Sequence, residues 1–184
     1  MIALIIVAVV LVLLVIFVIA AYNALIRLRN QVDNSWSQID VQLKRRHDLI
    51  PNLVETAKGY MQHERGTFEA ITQARSQAMG AKTVSEASKA EGALGEALSK
   101  FMLVVENYPD LKANQNFLSV QEELTSTENK ISFARQSYND QVLFFNNKIQ
   151  MFPSNIIANT FNFAERDFFK LETAAEREVP KVSF

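Results

Sequence analysis

The chain has 184 residues, with 19 Lys and Arg against 20 Asp and Glu and a formal net charge of -1. That near balance excludes the strongly basic surface of a nucleic-acid binder, and the length suits one folded domain. The absence of Cys excludes disulfides, lipid-modified thiols and thiolate metal sites.

Charge is unevenly placed. From Met1 to Tyr22 there is no charged side chain, and Ile2 to Ala21 is an unbroken apolar run rich in Val, Ile and Leu. About 20 residues at ~1.5 Å rise cross the roughly 30 Å hydrocarbon layer, so residues 1–22 read as a transmembrane anchor. The competing reading is a signal peptide cleaved at Val18-Ile19-Ala20. It lacks a basic n-region, and the apolar run exceeds the usual h-region of about 7 to 15 residues. Arg27 and Arg29 follow the span, whereas only the terminal amine precedes it. The positive-inside rule therefore places residues 23–184 in the cytoplasm, with the outer side of the membrane as the alternative.

Beyond the span the pattern is helical. Leu25, Val32, Ile39, Leu53 and Tyr60 lie on one heptad line, with Arg46 in its missing place. Trp36, Leu43, Ile50, Ala57 and Ile71 form a second line, so the two make one apolar seam. This predicts a single long helix that continues from the span to Gly80, kinked at Pro51, where a backbone hydrogen bond is lost. Thr83 and Glu86 form a capping box for a second helix reaching Asn107, thin at Ala87, Ala90, Gly92, Ala93, Gly95 and Ala97. Leu94, Leu98, Phe101 and Val105 supply its larger contacts.

Pro109 suits the first turn of a third helix, on which Phe117, Leu124, Ile131, Tyr138, Phe145 and Phe152 recur every seven residues. Pro153 closes that helix. Ser154 is expected to cap a short fourth segment with Ile156, Ile157, Phe161 and Phe163, and "KLETAAEREVPKVSF" reads as a helical extension and tail.

The segments "YNALIRLRN", "QIDVQLKRRHDLIPNLVE", "KGYMQHE", "NYPDLKANQNFLSVQEELTSTENKISFARQSYN" and "MFPSNIIANTF", in that order behind an apolar N-terminus, resemble the bacterial LemA family. The resemblance covers nearly the whole chain from Tyr22 on. It implies a membrane-anchored helical bundle and no assigned enzymatic reaction. Two departures stand out: Phe145-Asn146 occupies a place where a second Tyr-Asn is common, and Asn162 one where Gly is frequent.

Catalytic constellations are missing. There is no G-x-S-x-G elbow, phosphate loop or H-E-x-x-H. His47 and His63 stand about four and a half turns apart and cannot share a metal on one helix. Asp40, Asp48, Glu55 and Glu64 do not form the Glu-x-x-His pattern of a di-metal bundle. Of the basic run, Lys44 and Arg45 read as solvated flanks of the seam. The alternatives are an interfacial helix over residues 25 to 50 and a patch for an acidic partner. Arg46, by register, is a seam charge that needs a partner, and Glu128 and Arg135 stand similarly beside the third helix's apolar line.

The expected architecture is all-α, an N-terminal transmembrane helix continuing into an elongated antiparallel helical bundle with coiled-coil packing. The expected role is a non-catalytic, membrane-anchored scaffold or protein-interaction module in the cell membrane, without cofactor or metal. A regulatory adaptor of a membrane enzyme or protease is the alternative, and a hydrolase is a distant third. The partners expected are the membrane, further copies of the chain and an unidentified protein, with no nucleic acid. Self-association follows from lengths: about 57 residues of helix one beyond Tyr22 reach roughly 85 Å, and helix two covers only about 36 Å of them. Val32, Trp36, Ile39 and Leu43 would then lack internal cover and form the contact.

Overall fold

A computed structural model describes residues 1–170, so the expected helical tail after Lys170 lies outside the described residues. Six helices follow one another: α1 (Ile2–Lys58), α2 (Arg65–Gly80), α3 (Val84–Val105), α4 (Pro109–Lys112), α5 (Gln115–Gln150) and α6 (Ser154–Thr160). The fold is all-α, with no strand among the described residues. By packing, the chain divides into two units: Met1–Ser37 with Gln136–Asp167, and Gln38–Arg135 with the chain from Phe168 on.

In the first unit, the apolar residues from Ile2 to Ile19 are nearly all exposed, whereas Ala21, Leu25 and Val32 are buried. α1 there runs antiparallel to α5: the rings of Trp36 and Tyr138 meet at 5.5 Å between centroids, and nearer the start of α1 and the end of α5, Tyr22 and Phe145 both pack on Phe163. Tyr138, Val142, Phe145 and Ile149 give α5 its buried stripe. After α6 the chain leaves the helical region and runs back along α5 as a strap. Asn146 holds it with two bonds: its Nδ2 donates to the Arg166 carbonyl and its Oδ1 accepts from the Arg166 amide, each at 2.9 Å. The Tyr138 hydroxyl donates to the Asp167 carbonyl at 2.8 Å. Burial pushes that phenol up to about 12, so it remains a donor. Asn162 turns the chain into the strap at φ 56°, the left-handed region that Gly and Asn tolerate best.

The core of the second unit gathers Ile50, Leu53 and Ala57 from α1, Ile71 and Ala74 from α2, Leu94 and Phe101 from α3, Leu111 from α4, and Phe117 and Leu124 from α5. Thr83 caps α3 as expected. Its hydroxyl accepts from the Glu86 amide at 3.1 Å, and the Glu86 carboxylate accepts from the Thr83 amide at 3.3 Å.

Four boundary expectations are corrected. The first helix ends at Lys58, not Gly80: a turn at Gly59–Tyr60 drops Met61 fully into the core. Tyr108 clamps that turn by donating to Glu64 at 3.1 Å, and Asn114 does so by donating to the Tyr60 hydroxyl at 2.9 Å. Tyr60 consequently leaves the seam and is exposed. The third long helix begins at Gln115, because Pro109 opens only the one-turn α4 and the Asn114 side chain then accepts from the Asn116 and Phe117 amides. Phe152 ends the heptad line on the surface, and Ser154 is the first residue of α6, not its cap.

With α1 ending at Lys58, its part beyond Tyr22 is no longer than α5, and the length mismatch with the Val84–Val105 helix narrows. Val32, Ile39 and Leu43 are buried within one copy, and Trp36 is half-buried. The uncovered face expected at these residues is therefore corrected to a covered one.

Candidate functional site

The chemistry-bearing groups converge in the second unit, where α1, α3 and α5 meet. Arg46 and Glu91 are each only 2% exposed and form an ion pair through Nη2 and Oε2. Arg46 Nη1 donates to Glu128 Oε1 at 2.6 Å, and His47 Nε2 donates to Glu91 Oε1 at 2.8 Å. One buried carboxylate thus accepts from two neighbouring residues of α1, and one guanidinium ties α1 to both α3 and α5.

Burial disfavours charge on both partners, but the pairing outweighs it. Desolvation works to lower the Arg46 pKa, yet the charges of Glu128 and Glu91 hold it above its ordinary value. Desolvation likewise pushes the Glu91 carboxyl up, while the His47 hydrogen bond and the Arg46 charge hold it below its ordinary value. Both groups stay ionised near neutrality.

Pro51 belongs to the same site. A proline lacks the N–H that would bond the carbonyl four residues earlier, which is that of His47. Arg75 on α2 fills the gap, its Nε donating to the His47 oxygen at 2.7 Å. The three cations and the proline of "KRRHDLIP" therefore divide their roles. Lys44 and Arg45 are exposed, Arg45 lying 3.8 Å from Glu123 in a half-exposed pair; Arg46 is the seam charge; Pro51 opens an acceptor for α2.

Of the three predicted seam charges, the structure brings Arg46 and Glu128 together. The Glu128 side chain is 45% exposed, and Arg135 is half-exposed with no ion pair or hydrogen bond among the described residues. Sequence reasoning missed Glu91 and Arg75. The signal for Glu91 was present: Ala87, Glu91, Leu94, Leu98, Phe101 and Val105 alternate by four and three, which sets a carboxylate at a core position of α3.

No group of three or more His, Asp or Glu side chains among the described residues is arranged to hold a metal ion. The cluster joins helices: both Arg46 Nη atoms and His47 Nε2 are directed at carboxylates of α3 and α5, while the buried Arg46 Nε meets no partner among the described residues.

The sequence profile of the LemA family matches residues 35–184. The chain is 30% identical to Protein LemA of Metamycoplasma hominis over 138 residues, covering 74% of this chain and 63% of that protein. It is 22% identical to Magnetosome protein MamQ 2 of Paramagnetospirillum magneticum and 21% identical to Magnetosome protein MamQ of Magnetospirillum gryphiswaldense. Each of those matches covers 86% of this chain and 68% of the relative. The chain thus spans about two thirds of the length of these relatives, and none of their names is an enzyme name. The matched region contains all the residues of the Arg46 cluster, and the chain belongs to the LemA family.

Proposed function

We propose that this chain is a membrane-anchored, non-catalytic helical scaffold or protein-interaction module. One observation carries the reading. The first turns of α1 expose an apolar surface fit for lipid, while the buried Arg46 and His47 further along the same helix are paired with carboxylates of α3 and α5. A helix that begins as a candidate membrane span and ends as a core element holds a folded surface at the bilayer. Arg27 and Arg29 after the span support a cytoplasmic location for that surface.

Self-association remains part of the proposal, with its surface moved. Val32, Ile39 and Leu43 are covered, whereas Leu103 and Phe133 of the second unit are exposed apolar side chains. Anchoring confines copies to one plane and raises their effective concentration. The adaptor reading is favoured by one feature, a groove of 860 Å³ lined by Val54, Met61 and Phe68 together with Lys58, Arg65 and Glu69.

Crosslinking in native membranes followed by mass spectrometry tests the reading. Crosslinks from the folded region to further copies or to one recurring membrane protein are the expected result. Recovery of the full chain in the soluble fraction, without crosslinked partners, refutes it. Orientation is read by a Lys82→Cys variant, expected to resist a membrane-impermeant thiol reagent in intact cells; labelling before lysis reverses the assignment.

A further inference from the structure

The apolar run of α1 ends at Tyr22, and the first unit places other apolar groups at that same level. The Tyr22 ring lies 4.8 Å from Phe161 and 5.9 Å from Phe163, centroid to centroid. The antiparallel register agrees. Two heptads back along α1 from Trp36 is Tyr22, and two heptads on from its partner Tyr138 is Phe152, just beyond the end of α5. At equal rise along both helices, Phe152 stands level with the end of the span.

What this corner shows to the outside is largely apolar, with Asn159 and Thr160 as its exposed polar side chains. Phe152 is 80% exposed, and Met151, Ile156 and Phe161 are exposed beside it. α6 is nevertheless fixed from within, because Ile157 and Ala158 are buried and Phe161 packs on Tyr22. Large side chains held outward on a packed corner mark an interaction surface. Two cations stand behind it: Lys148 lies about 6 Å before Phe152 on α5, and Arg27 about 7.5 Å beyond Tyr22 on α1. Apolar tips with basic groups one turn further out suit the boundary between acyl chains and phosphate headgroups.

We propose that the corner between α5 and α6, residues 151–161, is a second membrane contact, seated in the phospholipid interface beside the span. The inference rests on α1 being a membrane anchor. Continuity decides for lipid over a second copy. A bilayer that takes in residues up to Ala21 brings its headgroup layer, about 5 to 7 Å deep, to the level of Tyr22, where Phe161 packs and Phe152 protrudes. Two contacts, one spanning and one interfacial, fix how the first unit is turned about the axis of its anchor. A single helix leaves that rotation free.

The test uses the full-length chain in phosphatidylcholine–phosphatidylglycerol vesicles. The sequence has no Cys, so Phe152→Cys, Ile156→Cys, Val10→Cys and Ser137→Cys each carry one fluorophore. Val10 reports the anchor, and Ser137 is an exposed site on α5 some 22 Å before Phe152. Labels at Phe152 and Ile156 should be quenched by nitroxide lipids of shallow depth and be about five-fold less open to iodide than the label at Ser137. Iodide quenching equal to that at Ser137, with Val10 still quenched from the lipid, overturns the corner and leaves the anchor standing. Self-quenching at Phe152 that vanishes on dilution with unlabelled protein makes a second copy the occupant and also overturns it. A Val10 label untouched by lipid quenchers removes the anchor and the corner together.

Discussion

Replacing Glu91 by Ala probes the buried ion cluster where it is least replaceable. Arg46 and Glu91 are both 2% exposed, so water does not compensate the charge left behind. Breaking a buried pair by removing one partner costs about 3–5 kcal/mol. Two details adjust this. Glu128 still receives Arg46 Nη1 at 2.6 Å and offsets part of the loss. The His47 N–H, however, loses its acceptor at 2.8 Å, at a further cost of about 1–3 kcal/mol. The net expectation is about 4 kcal/mol, which lowers the melting temperature of a domain this size by roughly 8–16 °C. Thermal melting of the detergent-solubilised full chain, followed by circular dichroism, measures it. Glu128→Ala should shift the melt by only about 2–4 °C, because that carboxylate is half in water. The double variant Arg46→Met/Glu91→Leu should be more stable than Glu91→Ala, since it leaves no unpaired buried charge. A Glu91→Ala protein melting within about 2 °C of the parent would refute the reasoning, as would a double variant weaker than both single changes together.

Acid should weaken the same link. The Glu91 carboxyl in the folded chain lies below its ordinary value of 4.5, so the unfolded chain binds more protons in that window. Its contribution is complete above 4.5 and is lost as pH falls through the folded value, so acid unfolding of the parent should be steeper than that of Glu91→Gln. Arg75→Ala leaves the His47 carbonyl without its donor and should cost about 1.5–3 kcal/mol by chemical denaturation. In a Pro51→Ala background the helix regains its own N–H there, and the Arg75→Ala penalty should shrink; an unchanged penalty counts against the pairing. Asn146→Ala removes both bonds to Arg166 and should raise hydrogen exchange at the Arg166 amide by roughly ten-fold, corresponding to about 1–2 kcal/mol. Exchange at that amide unchanged from the parent would mean that Asn146 does not hold the strap.

Periodicity alone determined which face of each helix is buried. The heptad line from Leu25 through Val32, Ile39, Arg46 and Leu53, and the line from Phe117 through Leu124, Ile131, Tyr138 and Phe145, are inward in the structure as the spacing requires. Such patterns are local, and side-chain direction in a helix repeats every 3.6 residues whatever lies opposite. The apolar N-terminal run and the Thr83 capping box are legible for the same reason, since each depends only on neighbours in sequence. Where helices stop was less legible. The chain around Gly59 carries a helical pattern, yet it turns there with Met61 buried in the core and Tyr108 and Asn114 reaching from distant positions to hold the turn. The partners of the charges were least legible. Register placed Arg46 inside but gave no address for its carboxylate, which came from Glu91 on a helix that the pattern described only as thin and apolar. Pro51 announced a free carbonyl, and only tertiary packing brought Arg75 to it. Local rules fix the direction of a side chain, but the identity of what it meets is set by the packing of helices far apart in sequence.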